Sequence, residues 1–298
     1  MSFPDFADPT AVADALEAAG YLPSPGIATA VFLAMRMHRP LFVEGDPGVG
    51  KTALAHALTE ICGVRLLRLQ CYEGIDASQA LYDWDFPRQI LHLRAAGSDP
   101  AAGSGGAGDR GDLEASLYDR RFLIARPILL ALEQSPAVLL IDEIDRADDE
   151  FEAFLLEVLA ENAVTVPEIG TIAADVPPLT VITSNRTREV HDALKRRCLY
   201  LWLAHPDFDR EVAIVRSRVP DAAVRLVADV ARTAGRLRTA DLLKPPGVAE
   251  TIDWAHALHT LGASRLDEDA ARATLGAVVK YREDFVRVER SLGELLGG

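Results

Sequence analysis

Residues Leu41–Thr52 read LFVEGDPGVGKT: a glycine, four further residues, then Gly50, Lys51 and Thr52. This is the complete GxxxxGK[ST] pattern, and its chemistry is the holding of phosphate. Gly45, Asp46, Pro47, Gly48, Val49 and Gly50 form the loop. Its glycines let backbone N–H groups approach phosphate oxygens without a Cβ in the way. Lys51 is expected to reach the β- and γ-phosphates of a nucleotide, and the Thr52 hydroxyl to hold Mg²⁺.

A second group of residues suits the chemistry that follows such binding. Asp142 and Glu143 close the apolar run of AVLLIDEID at 137–145. Asp142 would hold Mg²⁺, directly or through water, and Glu143 would orient and polarise an attacking water. Read alone, the two acids would equally suit the cap of a following helix. The phosphate loop roughly ninety residues upstream favours the chemical role. Tyr21 and Leu22, just before the loop, suit either packing on an adenine ring or ordinary core packing.

These residues need elements to position them. Leu41, Phe42 and Val43 predict a strand running into Gly45. Leu54, Leu58 and Ile61 lie on one face of a helix that starts at the loop. The loop then sits at a helix N-terminus, where free N–H groups and the positive dipole end favour anions. Further strands are predicted at 64–72, 137–145, 179–185 and 199–203. The unbroken apolar run of 137–141 suits a strand buried on both faces of a parallel sheet, with its acids in the crevice where such sheets bind ligands. Helices are predicted around 12–19, 26–37, 88–94, from 113 toward 122, at 127–133 and at 193–197. Phe151, Phe154, Leu155, Val158 and Leu159 make the buried stripe of another helix, whose outer face carries Glu152, Glu157 and Glu161. Residues 164–172 suggest a small hairpin. Strands alternating with helices predict a phosphate-loop, three-layer α/β fold with a parallel sheet. Beyond His205-Pro206 the pattern is helical at 209–218, 221–237, 248–262 and 267–289. The expected division is a nucleotide-binding α/β domain at 1–205 and a small all-helical lid domain at 206–298. Residues 95–111, AAGSDPAAGSGGAGDRG, hold six glycines and no large apolar side chain, and they predict a mobile loop.

Composition excludes several classes of function. The 298 residues are 49% hydrophobic and 26% charged, the profile of a soluble globular protein. No apolar run is long enough to span a bilayer, and the acidic N-terminus does not read as a signal peptide. Cys62, Cys71 and Cys198 lack metal-ligand spacing and read as reduced thiols in the cytoplasm. The net charge of −14 argues against a nucleic-acid surface.

The order of motifs resembles an AAA+ ATPase, and its details resemble the MoxR family, nearest to CoxD-type members. The carrying stretches are CYEGID at 71–76, WDFPRQILHLR at 84–94, FLLEVLAENAVTVPEIGTI at 154–172, TSNRTREVHDALKRRCLY at 183–200 and PPGVAETIDWA at 245–255. The resemblance implies Mg²⁺-dependent ATP hydrolysis by a chaperone that remodels a protein client. It further implies a homo-oligomer, a hexamer, working with a partner that carries a von Willebrand factor A-type domain. For CoxD-type members the implied client is a molybdenum-containing hydroxylase such as carbon monoxide dehydrogenase, whose metal centre is matured. By the same resemblance the phosphate loop is Walker A, and Asp142 and Glu143 are Walker B. Asn185 is sensor 1, and Arg196 or Arg197, with Arg197 preferred, is the arginine finger. Residues 72–94 and 164–172 would face the pore or the client. One departure stands out: the stretch from Pro246 to Glu250 has no arginine at the sensor 2 position, and Lys244 is the nearest cation. The alternative function is a nucleic-acid-associated AAA+ motor or loader, disfavoured by the acidic balance. A nucleotide-gated scaffold and a small-molecule kinase fit the motif set less well.

Overall fold

The structure is a computed structural model, and it describes residues 2–97 and 116–297. In chain order, α1 (Pro9–Ala18) and α2 (Pro25–Met37) lead to β1 (Leu41–Gly45) and α3 (Lys51–Cys62). Next come β2 (Arg65–Gln70), α4 (Ala77–Leu81), β3 (Tyr82–Trp84), α5 (Phe86–Gly97), β4 (Leu123–Ala125) and α6 (Pro127–Glu133). Then follow β5 (Ala137–Asp142), α7 (Asp149–Glu161), β6 (Ala163–Val166), β7 (Gly170–Ala173), β8 (Leu179–Ser184), α8 (Asp192–Arg197) and β9 (Leu199–Leu203). Only helices follow: α9 (Phe208–Arg218), α10 (Val224–Thr239), α11 (Val248–Thr260), α12 (Glu268–Val278), α13 (Arg282–Arg290) and α14 (Leu292–Gly297).

Five strands form one sheet in the order β2-β5-β8-β1-β9. β2 pairs with β5 and β5 with β8 in parallel, with Leu69 opposite Ile141 and Ile141 opposite Ile182. β1, β5 and β8 are buried at every position, as expected for central strands covered on both faces. β3 with β4 and β6 with β7 make two small antiparallel pairs.

The chain divides into two compact units. The first comprises Met1–Asp5, Ala30–Phe42 and Leu58–Tyr200; the second comprises Phe6–Thr29, Val43–Ala57 and Leu201–Gly298. The core of the first gathers Phe42, Leu69, Ile128, Leu139, Ile141, Phe151 and Leu155. That of the second gathers Leu226, Val230, Trp254, Leu258 and Leu275.

Local chemistry explains the element starts. Asp148 caps α7 by accepting from Phe151 N at 2.9 Å, and Asn162 closes it in the left-handed region. Asp76 and Gln79 form a capping box that starts α4, a helix absent from the sequence reading.

Four expectations need correction. The helix expected from 113 toward 122 stops at residue 117: residues 116 and 117 are helical, and Arg120–Phe122 is a single 3₁₀ turn leading into β4. The predicted helix 267–289 is two, because the backbone turns extended at Val279 and Tyr281. That break lets the buried Asp284 accept from Leu243 N and Lys244 N. Glu152, expected on the outer face of α7, is 1% exposed, and its carboxylate holds Arg188 and the backbone N of His191. Of the glycine-rich stretch 95–111, residues 95–97 close α5, and the rest lies outside the described residues. The three cysteines are free, and burial pushes Cys71 and Cys198 up to about 12 and Cys62 to about 11.

Trp254 is fully buried and donates from Nε1 to Thr274 Oγ1 at 2.8 Å. Trp254→Ala should lower stability by about 3–5 kcal/mol, the usual cost of truncating a buried aromatic. A chemical denaturation curve checks this; an unchanged midpoint would contradict it.

Candidate functional site

The chain enters the second unit within β1 and reaches Gly45 at its end, and α3 begins six residues later at Lys51. Gly48 and Gly50 take φ of +79° and +99°, where a side chain would strain the backbone. Asp46 and Pro47 are exposed, while Gly48, Val49, Gly50 and Thr52 are partly covered. Lys51 is 7% exposed, and its Nζ donates to Gly45 O at 2.7 Å and to Asp46 O at 2.8 Å. The ammonium therefore lies under the loop, with the first N–H groups of α3 beside it.

The loop has neighbours within its own unit. The Tyr21 ring lies 4.0 Å from where a Cβ on Gly50 would stand, so Tyr21 packs at the loop. Burial pushes its hydroxyl up to about 12, and the Arg210 cation pulls partly back. Leu22 is half-buried, and its carbonyl accepts from Arg210 Nη2 at 2.6 Å. His205 Nε2 stands 3.4 Å from Asp46 Oδ2, and burial lowers the imidazole pKa.

α11 reaches the loop through its backbone. Val248 N and Ala249 N both donate to Gly48 O, at 2.9 and 3.4 Å. Glu250 Oε2 accepts from Gly247 N at 3.0 Å. Behind this turn the half-buried Arg238 binds both carboxylate oxygens of Glu211, Pro246 O at 2.8 Å and Thr251 Oγ1 at 3.1 Å. The arginine missing from this stretch is thus matched by a backbone contact. Lys244 is exposed.

In the first unit, the ends of β5 and β8 bring three sequence-predicted residues together. Thr183, fully buried, donates to Asp142 Oδ1 at 2.6 Å and accepts from Glu143 N at 2.9 Å. Asn185 Nδ2 donates to Glu143 Oε1 at 3.1 Å, and Gln70 Nε2 to Glu143 Oε2 at 3.0 Å. Glu143 takes φ 58° and ψ 52°, a left-handed conformation costly for a side chain with a Cβ. Its carboxylate is therefore held from both sides on a strained hinge. Asp142 is 4% exposed; Arg68 engages its Oδ2 at 2.6 Å from Nη2 and 3.1 Å from Nε. Asp145, also buried, accepts from Asn185 N, Thr187 N and Thr187 Oγ1. That fixes the turn carrying Asn185.

Arg196 and Arg197 end α8 with exposed side chains. Among the described residues, no hydrogen bond or ion pair joins either guanidinium to Asp142, Glu143 or Asn185. Sequence reading missed Arg68, Gln70, Thr183, Arg238 and the role of Asp145. Only Asp145 carried a signal, as a third acid in the same short run. The others are brought in by strand pairing and helix packing across long stretches of chain.

The residues fit a nucleotide with Mg²⁺. In the second unit, Lys51 and the α3 N-terminus suit phosphate and Thr52 offers a hydroxyl oxygen; in the first, Asp142 offers a carboxylate, the donor type a hard cation takes. Among the described residues no group of three or more His, Cys, Asp or Glu could hold a metal. Mg²⁺ in nucleotide sites uses one or two protein carboxylates, with water and phosphate completing its shell.

Residues 40–198 match the AAA domain (dynein-related subfamily). A stretch of 48 residues is 52% identical to Midasin from Giardia intestinalis; it covers 16% of this chain and 1% of Midasin. The chain thus spans about a hundredth of that curated relative. Among solved structures, the Thermotoga maritima RuvB Holliday junction branch migration motor aligns with a TM-score of 0.44 and 16% identity, over 90% of this chain and 74% of its own. A proline-to-glycine mutant of that RuvB aligns with a TM-score of 0.49 and 16% identity, over 100% and 80%.

A Cβ on Gly247 would stand 2.7 Å from Gly48 Cα and 2.8 Å from Pro47 O. Gly247→Ala should therefore push α11 off the loop and speed amide hydrogen exchange at Val248 and Ala249. Gly235, inside α10, has nothing within 4 Å of its Cβ position, so Gly235→Ala should leave those amides alone. Equal protection of the two amides in wild type and Gly247→Ala would refute the contact's importance.

Proposed function

The chain belongs to the AAA domain family, dynein-related subfamily, and on that premise we propose that it hydrolyses Mg²⁺-bound ATP to remodel a protein client. The observation that carries the catalytic part is the hydrogen bond from Asn185 to Glu143. It supports a carboxylate poised to take a proton, with an amide beside it to feel the γ-phosphate.

In this reading Lys51 and the loop amides bind the β- and γ-phosphates, with Tyr21 and Leu22 near the base. Thr52 and Asp142 hold Mg²⁺, which when bound neutralises charge on the phosphate oxygens. Arg68 must then yield Asp142 Oδ2 or share it through water. Glu143 takes the proton of a water as its oxygen bonds to the γ-phosphorus. The bond to the ADP oxygen breaks, and ADP and phosphate leave. A loop supplies cations from one side only, so Arg197, or Arg196, completes the charge from a neighbouring subunit in a hexamer.

The stretches that resemble MoxR and CoxD-type proteins support the finer assignment. It comprises a cytoplasmic chaperone, a partner with a von Willebrand factor A-type domain, and maturation of a metalloenzyme such as a molybdenum-containing hydroxylase. No described helix is long and apolar enough to cross a membrane.

Lys51→Ala should abolish nucleotide binding. Glu143→Gln should keep it and lower turnover by about two to four orders of magnitude, the usual worth of a positioned base. Wild-type turnover by Glu143→Gln would overturn the assignment, and a pull-down with that variant held in ATP would identify the client.

The shared site has its own test. Arg197→Ala should bind ATP and lose about three to five orders of magnitude in rate, the range seen for such fingers. Mixing it with Lys51→Ala should restore activity, since one protein supplies the loop and the other the arginine. Mixed oligomers without recovery, or a fully active monomer, would rule the shared site out.

A further inference from the structure

The last carbonyls of any helix lack partners within it. In α8 they belong to the residues that carry Arg196 and Arg197, and a residue far away in sequence satisfies them. Arg39 Nη2 donates to Arg196 O at 2.7 Å and to Cys198 O at 3.2 Å, and Nε donates to Arg197 O at 3.1 Å. One guanidinium thus spans three successive carbonyls from two nitrogens held in one rigid plane, which a flexible ammonium stem does not fix in the same way. Arg39 is itself held in place. Its backbone N donates to Ala34 O at 3.2 Å as α2 ends, His38 before it is left-handed at φ 51°, and Pro40 O accepts from Leu199 N at 2.8 Å.

The clamp is electrostatically odd. Lys195 lies over the Phe42 ring at 5.5 Å, so Arg39, Lys195, Arg196 and Arg197 crowd one helix end. The helix dipole there favours cations, but only by a fraction of a kcal/mol to about 1 kcal/mol each at the surface. Among the described residues, no ion pair involves Arg39, Arg196 or Arg197. A cap that served stability alone could be neutral. Three like charges on a rigid turn suit an anion arriving from outside.

We propose that Arg39 is a positioning residue for the arginine pair. By clamping the carbonyls of residues 196–198, it sets the direction in which Arg197 leaves the chain and thereby the turnover of the neighbouring subunit's site. This rests on the reading of Arg196 and Arg197 as a finger acting between subunits.

Arg39→Ala should lower kcat by about 10–100-fold, the order expected when a charged group is misplaced by about an ångström, with ATP affinity unchanged. The decisive readout is mixing. Arg39→Ala with Lys51→Ala should recover activity, because the first keeps its loop and the second its clamped arginines. Arg39→Ala with Arg197→Ala should not recover, because both lack a positioned finger. Arg39→Lys, which keeps the charge but loses the rigid planar fork, should behave like a milder Arg39→Ala and carries the same test if Arg39→Ala does not fold. If Arg197→Ala is rescued by Lys51→Ala while the Arg39 variants are not, Arg39 serves its own subunit's structure and this proposal fails alone. If neither pair recovers although mixed oligomers form, the shared site fails and this proposal with it. A fully active Arg39→Ala would also overturn it.

Discussion

The hydroxyl of Thr183 joins two strands at the point where their chemistry begins. It donates to Asp142 and accepts from the backbone of Glu143, and it is sealed from water. Both partners sit at the end of β5, while Thr183 sits near the end of β8, so the bond requires these strands side by side in register. Without it a nearly buried carboxylate and a backbone N–H would each lose a partner, at a cost of about 1–3 kcal/mol per group. The same bond fixes the height at which Glu143 turns into its left-handed conformation, and hence the reach of its carboxylate to Asn185. A methyl in place of this hydroxyl would fill the space and supply neither bond.

The pattern of Thr183 recurs among the buried acids. Asp145, Glu152, Glu211 and Asp284 are each 3% exposed or less. Burying a carboxylate is costly unless it is paired and hydrogen-bonded. Asp145 is satisfied by the turn at Asn185–Thr187, Glu152 by Arg188 and the start of α8, and Asp284 by the backbone of Leu243 and Lys244. Glu211 is satisfied by Arg238, which also holds Pro246 O. In every case the acid organises a loop or a helix junction. Hydrophobic burial alone would leave those backbones free to take several arrangements, whereas an acid with one set of donors selects one.

The turn before α11 illustrates a different solution to a coupling problem. The stretch from Pro246 to Glu250 lacks an arginine, yet it lies against the phosphate loop more closely than a long side chain would allow. Gly247 meets Gly48 backbone to backbone, and two N–H groups converge on one carbonyl. Such a contact responds to the shape of the loop and not to charge beyond it. It depends on glycine at both positions, because a Cβ on either would meet the other within about van der Waals contact or closer.

The sequence by itself determined the elements whose signals are local. The phosphate loop between a strand and a helix, the buried strands with acids at the end of one, the stripe of α7, the hairpin of β6 and β7, and the helical character beyond residue 205 were all legible from short-range pattern. So were Asp142 and Glu143 as acids that a strand end would present; Asn185 entered only through the resemblance to AAA+ ATPases. The tertiary structure decided what distant segments do to one another. β3 pairs with β4 across nearly forty residues, so neither short run was recognisable as a strand. The helix predicted over 267–289 breaks at 279–281, and Asp284 beyond the break accepts from a loop some forty residues earlier, a pairing that no periodicity encodes. Arg68, Gln70 and Thr183 gained their roles from strand register, and Arg39 gained its own from a helix end about 160 residues away. Periodicity reports how a segment faces its core. It carries no record of which remote donor will meet a buried acceptor, because that pairing exists only once the chain has closed on itself.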